Sequence, residues 1–261
     1  MMRGKPRRSG FVRILLVQPA RWSPDGHANL TAVETLLAGA PPADLVVLPE
    51  LAGSELPRRE YLERLRGLAA RARAAVVGGS HYAPAGAGKV NQGLAVSAAG
   101  EVLAGYGKFH PYGVERDDGV VPAPIGDGFE VAGRRVRVLL CADLWYSGSL
   151  AGPPADVVVV PAFSVTQWPT PGPARSLWEH MSVARAYEFM TYVAVSDWHH
   201  EAGYHGQPCA GVTGLANPSP ADGAGFFTAQ PSAAVAAYEL DFERLGRFRR
   251  NRADRSFAFT K

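Results

Sequence analysis

Three apolar runs in this chain each stop at a residue able to do chemistry. Val136-Arg137-Val138-Leu139-Leu140 leads to Cys141, Leu45-Val46-Val47-Leu48-Pro49 to Glu50, and Val102-Leu103-Ala104-Gly105-Tyr106-Gly107 to Lys108. Short apolar runs of this kind read as buried strands. In layered α/β folds, ligand and catalytic groups gather at strand ends. A thiol needs a base to become a thiolate. A carboxylate serves as that base when burial lifts its pKa toward neutrality. An ammonium holds the negative oxygen of a tetrahedral intermediate, and the backbone N–H after the thiol, that of Ala142, can share the task. Cys141 by itself is a weak signal, because free cysteines are commonly inert core. The acid and the amine at two other strand ends are what make it a candidate nucleophile.

The elements that must position these groups follow from periodicity. Strands are expected at Phe11–Gln18, Leu45–Leu48, Ala75–Ser80 and Asn91–Ser97, the last paired with Glu101–Gly105 through Ala98-Ala99-Gly100. A turn is read at Pro84–Gly88, and a hairpin at Glu130–Arg135 leads into the Cys141 strand. The four valines Val157–Val160 read as a strand buried on both faces. Further strands fall at Thr191–Ser196, Phe226–Thr228 and Ala233–Leu240. Helices are expected over Asn29–Ala38, from Pro57 with a Tyr61, Leu62, Leu65, Leu68, Ala69 stripe, and over Ala174–Met190. The alternation gives an α/β fold with mixed sheets.

Leu48-Pro49-Glu50, Lys108-Phe109-His110 and Cys141-Ala142-Asp143, in that order, resemble the carbon–nitrogen hydrolase (nitrilase) superfamily. The resemblance extends to Gly113-Val114-Glu115, where the family carries a second glutamate, and to the Ala155–Ala162 strand after the nucleophile. Arg185-Ala186-Tyr187-Glu188 is similar to its Arg-Ala-x-Glu helix, Gly214–Pro218 to a turn near its end, and Ala237–Asp241 to its final strand. Residues 11–245 are covered. Three departures stand out. Phe189 and Ser196-Asp197 replace family asparagines, and Leu215-Ala216 lie where a Gly-x-Ser serine is usual.

The resemblance implies a four-layer α-β-β-α sandwich of two mixed sheets. Glu50 would be the base, Cys141 the nucleophile, Lys108 and the Ala142 amide the oxyanion donors, and Glu115 an accessory acid. It implies hydrolysis of a non-peptide C–N bond through a thioester, with no cofactor and no metal, in a homodimer or higher oligomer. Cys141 through Trp145 sit closer to amidase branches than to the Cys-Trp-Glu of nitrilases, so a small amide or carbamoyl compound is expected. Acyl transfer to an amine, nitrile hydrolysis and a non-catalytic binding role remain open alternatives. Tyr112, Trp145, Tyr146, Phe163, Trp168 and Trp198 are expected to wall the pocket around a compact, uncharged or weakly anionic substrate.

Composition narrows the rest. With 261 residues, 47% apolar and 20% charged, the chain can form one large domain. A net charge of +3 and one short cluster, Arg247-Phe248-Arg249-Arg250, give no nucleic-acid stripe. Two cysteines suit a reducing compartment, and the cytoplasm is expected. The run Phe11–Val17 is too short and too charged for a signal segment, and no run approaches a membrane span. Residues 1–10 are expected to be a disordered basic tail, 11–245 the domain, and 246–261 a C-terminal tail. His199-His200-Glu201 with His205 and Cys209 matches no common zinc spacing and reads as a pocket-rim loop, with Cys209 a bystander.

Overall fold

The structure is a computed structural model that describes residues 11–257 except 205, 222, 231 and 233. In chain order the elements are β1 (Phe11–Val17), α1 (Gly26–Leu37), β2 (Leu45–Val47), α2 (Arg58–Ala72), β3 (Ala75–Val77), β4 (His81–Ala85), β5 (Gly88–Val96) and β6 (Val102–Gly107). Then come α3 (Gly113–Asp117), β7 (Phe129–Val131), β8 (Arg134–Val138), β9 (Val157–Pro161), α4 (Pro171–Glu188), β10 (Tyr192–Ser196), β11 (Gly214–Ala216), β12 (Phe227–Ala229), β13 (Val235–Asp241) and α5 (Phe242–Asp254).

Two mixed sheets result. One runs β13-β1-β2-β3-β5-β4, with β6 also pairing β5, and the other runs β12-β11-β10-β9-β8-β7. Side chains alternate across each strand, so every central strand feeds two cores. Leu16, Val47 and Val77 of the first sheet meet Val138, Val159 and Ala194 of the second in one buried cluster. The intervening residues Leu15, Val46 and Val76 pack with Leu30 and Val33 of α1 and Tyr61 and Leu65 of α2. Val158, Val160, Val193 and Val195 pack with Ala174, Trp178 and Ala186 of α4. The layers are therefore α-β-β-α. The four valines of β9 split two and two between the middle and outer cores, which is why that strand carries no polar residue.

Local signals agree with the elements. Asp25 caps α1, accepting from His27 N at 2.9 Å. Pro171 and Pro173 sit in the first turn of α4, where a missing N–H costs nothing. Among the described residues no helix is long and apolar enough to cross a membrane.

Several expectations need correction. Residues 246–254, read as tail, continue α5, because Phe242 and Leu245 are buried and Arg249 reaches Asp156 at 2.7 Å and the carbonyls of Ala155 and Met190. Within the cluster Arg247–Arg250, Phe248 and Arg249 are partly buried while Arg247 and Arg250 stay exposed. Gly214-Leu215-Ala216, read as a turn, is strand β11 paired with β10. The Pro84 turn belongs to β4, which ends the sheet order, where a residue without an N–H is tolerated. The N-terminal tail lies outside the described residues.

The replaced asparagines also find their places. Ser196 Oγ lies 2.7 Å from Val17 O and 2.9 Å from Val47 O, so its single proton ties the second sheet to the first. Asp197 is buried and accepts from Ser164 N, Ser164 Oγ and Val212 N, fixing the loop after β9. Phe189 is the C-terminal cap residue of α4.

Candidate active site

Beyond the ends of β2, β6 and β8 the three candidate groups meet. Lys108 Nζ donates to Glu50 Oε1 at 2.8 Å and to Glu115 Oε2 at 2.5 Å. All three are almost wholly buried, Lys108 and Glu50 each 2% exposed. Cys141 opens a 3-10 helix (Cys141–Trp145) with φ +46°, a left-handed conformation that a non-glycine residue adopts only when its surroundings enforce it. Its Sγ lies 3.8 Å from the carbonyl of Phe163, whose own N–H donates to Glu50 Oε2 at 3.0 Å. One backbone residue on the loop after β9 thus touches both acid and thiol. Trp198 Nε1 donates to Glu50 O at 2.7 Å and locks the glutamate backbone. A cavity of about 700 Å³ opens over Glu50, Lys108, Glu115 and Cys141.

Comparison with known proteins gives the family. The carbon–nitrogen hydrolase family profile matches residues 13–205.

The chain belongs to the carbon–nitrogen hydrolase family.

Solved structures of the nitrilase superfamily share its fold. Nit3 of Saccharomyces cerevisiae, a member of branch 10, is 19% identical with a TM-score of 0.79, covering 93% of this chain and 94% of its own. XC1258 of Xanthomonas campestris, described with an arsenic adduct in its active site, is 22% identical with a TM-score of 0.73, covering 92% and 94%. A mutant amidase of Nesterenkonia sp. AN1, described with the acetamide moiety of fluoroacetamide added at its active-site cysteine, is 23% identical with a TM-score of 0.72, covering 98% and 100%. No curated protein sequence matches the chain.

Within this carbon–nitrogen hydrolase site the electrostatics are set by burial. Desolvation pushes the Glu50 carboxyl up to about 7; Lys108 opposes this and the Glu115 charge adds to it. Burial, then the Glu50 charge, drive the Cys141 thiol well above its usual range, with Lys108 opposing. The thiol is therefore protonated at rest and needs a base. Burial works against the Lys108 ammonium, but Glu50 and Glu115 outweigh it and hold its pKa well above the normal lysine value. The cluster has two carboxylates around one cation.

Glu115 sits in the first turn of α3, where its Oε2 also accepts from Tyr112 N at 2.8 Å. Tyr112, Ala142, Trp145, Phe163 and Trp168 all line the cavity. Two expected wall residues do not. Trp198 is fully buried beneath Glu50, and Tyr146 faces a second depression, stacked on His110 with centroids 3.7 Å apart. Asp143 accepts from the backbone N–H groups of Phe109 and His110 at 3.2 and 2.9 Å. That ties the Lys108 loop to the Cys141 turn. Cys209 is buried in the core of the outer helix layer. His199, His200 and Glu201, at the start of a 3-10 turn (His200–Ala202), bring donor atoms within 4.8 Å of one another, while His205 lies outside the described residues.

Sequence reasoning missed Asn91. Its Nδ2 donates to Glu50 Oε1 and to Glu115 Oε1, each at 2.9 Å, and its carbonyl accepts from Lys108 N at 2.9 Å. Its Oδ1 is buried without a partner among the described residues, so the amide orientation is dictated by the two carboxylates. Asn91 fills Glu50 Oε1 alongside Lys108 and leaves Oε2 the freer oxygen. Asn91 is the buried polar residue of β5, flanked in sequence by the less buried Lys89 and Gln92, so its type alone gave little signal. Removing a donor from a carboxylate disfavours its charged form. Asn91→Leu is expected to move the acid limb of kcat/KM to higher pH by about one unit, roughly one hydrogen bond's worth. A pH profile checks this, and an unmoved or lowered limb contradicts it.

Proposed function

We propose that the protein hydrolyses the amide bond of a small molecule through a Cys141 thioester. The observation that carries this reading is the convergence of Glu50, Lys108 and Cys141 at the floor of one cavity. The covalent adduct described for the similar Nesterenkonia amidase supports it. Glu50, through Oε2, takes the Sγ proton as sulfur attacks the carbonyl carbon. The C=O electron pair moves to oxygen, and Lys108 Nζ with the Ala142 N–H holds the oxyanion. Two Lys108 hydrogen bonds go to carboxylates, which leaves its third N–H for this task. Collapse breaks the C–N bond, and Glu50 returns its proton to the leaving amine. Glu50 then deprotonates water, which attacks the thioester. The acid departs, and the proton returns to sulfur.

The experiment is a panel of small amides, ureido acids and nitriles assayed for ammonia release, with and without an added amine. Hydrolysis of an amide to its acid is expected. A new amide formed only with the added amine would assign acyl transfer instead. The same reading fixes the pH dependence. Glu50 acts as a base when unprotonated, and its pKa is pushed up to about 7. Thus kcat/KM is expected to fall about tenfold per pH unit below that value. A profile flat down to pH 5 would contradict Glu50 as the base.

A further inference from the structure

We infer that the substrate is an amide bearing a flat apolar body the size of one or two aromatic rings and carrying no negative charge. This rests on the reading that Cys141 attacks an amide, and narrows it. The cavity volume, about 700 Å³, falls within the roughly 300–1,000 Å³ of sites that enclose drug-sized ligands. The simplest amides would leave most of it to water. Its wall is aromatic: Trp22, Tyr82, Trp145, Phe163, Trp168 and Trp178 all face it. Several of these rings already support one another. Trp22 packs on Phe163 and Tyr204 at 5.1 and 5.4 Å between centroids, and Trp145 packs on Trp178 at 5.3 Å. A wall held this way loses little freedom when a ligand enters.

Exposure points the same way. Tyr112, Val114, Trp168 and Leu177 are large apolar side chains between 47% and 57% exposed, and all four line this one mouth. Open apolar surface concentrated at one place marks a binding site. The charges settle the sign. Among the described residues Glu50, Glu55, Glu115 and Asp118 line the cavity against Lys89 and Lys108, with no arginine. Lys108 is engaged by two of the carboxylates, and Lys89 lies over the Tyr82 ring at 4.3 Å. A carboxylate or phosphate on the substrate would enter a field of its own sign. The weakly anionic substrate admitted by the sequence is thereby disfavoured.

The test compares acetamide, 2-phenylacetamide, 2-(1-naphthyl)acetamide and 4-carboxyphenylacetamide. Each is measured by ammonia release and by its protection of Cys141 against alkylation with 2-chloroacetamide, followed by intact mass. Burying one ring predicts an advantage of phenylacetamide over acetamide of about 30-fold in kcat/KM or in protection. Naphthylacetamide should do at least as well, and the carboxylate-bearing compound about tenfold worse than phenylacetamide. Trp168→Ala, at a side chain mostly in solvent, should keep the melting temperature and shrink the aryl advantage about fivefold. Equal or better handling of acetamide, or preference for the carboxylate, overturns the inference while alkylation at Cys141 leaves the amidase reading standing. No turnover together with no alkylation at Cys141 overturns both.

Discussion

Replacing Cys141 with alanine is expected to lower kcat by about 10⁵-fold or more, the scale on which a covalent nucleophile is lost. The thiol is the group that bonds to carbon in the proposed reaction, and no other described side chain in the cavity can replace it. Cys209 is the second cysteine, but it is fully buried in a different core and contributes no wall. Cys209→Ala should keep most of the turnover and lose a modest amount of stability, about the cost of a small core truncation. The backbone at position 141 is already in the left-handed region, so alanine inherits the same strain as cysteine and the fold should survive. Steady-state kinetics and a thermal melt on both variants check this. An active, folded Cys141→Ala protein would remove the thioester from the account.

Glu50→Gln and Lys108→Ala should each lower kcat by about 10²-fold or more, the range for a lost general base or oxyanion donor. Their effects on stability should differ. Gln fills the same space without charge, and the Lys108 ammonium still has Glu115. Removing Lys108 instead leaves Glu50 and Glu115 buried without a cation, and breaking a buried ion pair on one side costs about 3–5 kcal/mol. The sign with pH follows. Burial and the neighbouring Glu115 charge already raise Glu50 to about 7, and loss of Lys108 raises it further. A carboxylate whose folded pKa lies above its unfolded value stabilises the fold at low pH and loses that contribution as pH rises. Lys108→Ala should therefore melt closest to the wild type near pH 5 and fall progressively behind above pH 7. Melting temperatures across pH decide it, and a deficit independent of pH would mean that the lysine does not balance these carboxylates.

The sequence revealed much of this site for a physical reason. Glu50, Lys108 and Cys141 end runs so apolar that a terminal polar group has to be explained, and Val157–Val160 marks a strand that faces two cores. Where a group acts through its backbone or through the direction it points, the sequence is silent. The Phe163 N–H and C=O that meet Glu50 and Cys141 belong to a residue whose side chain reads only as wall. Trp198 and Tyr146 are as aromatic as Trp145, yet one lies under the glutamate and the other on the far side of the Cys141 turn. Asn91 carries no signal in the sequence because it is one of several polar residues in its strand until its two carboxylate partners are known. Residues 246–254 read as tail in the sequence because their charge density masks the helical spacing of Phe242, Leu245 and Phe248.

The most direct test of the central claim is to catch the intermediate. The protein is mixed with a hydrolysable amide, quenched in acid within the first turnover, digested and mapped by mass. The account predicts one acyl group, of the mass of the substrate less ammonia, on the peptide containing Cys141, labile to hydroxylamine and absent from Cys141→Ala. Acid product formed at full rate with no adduct at Cys141, or an adduct on another residue, would contradict it.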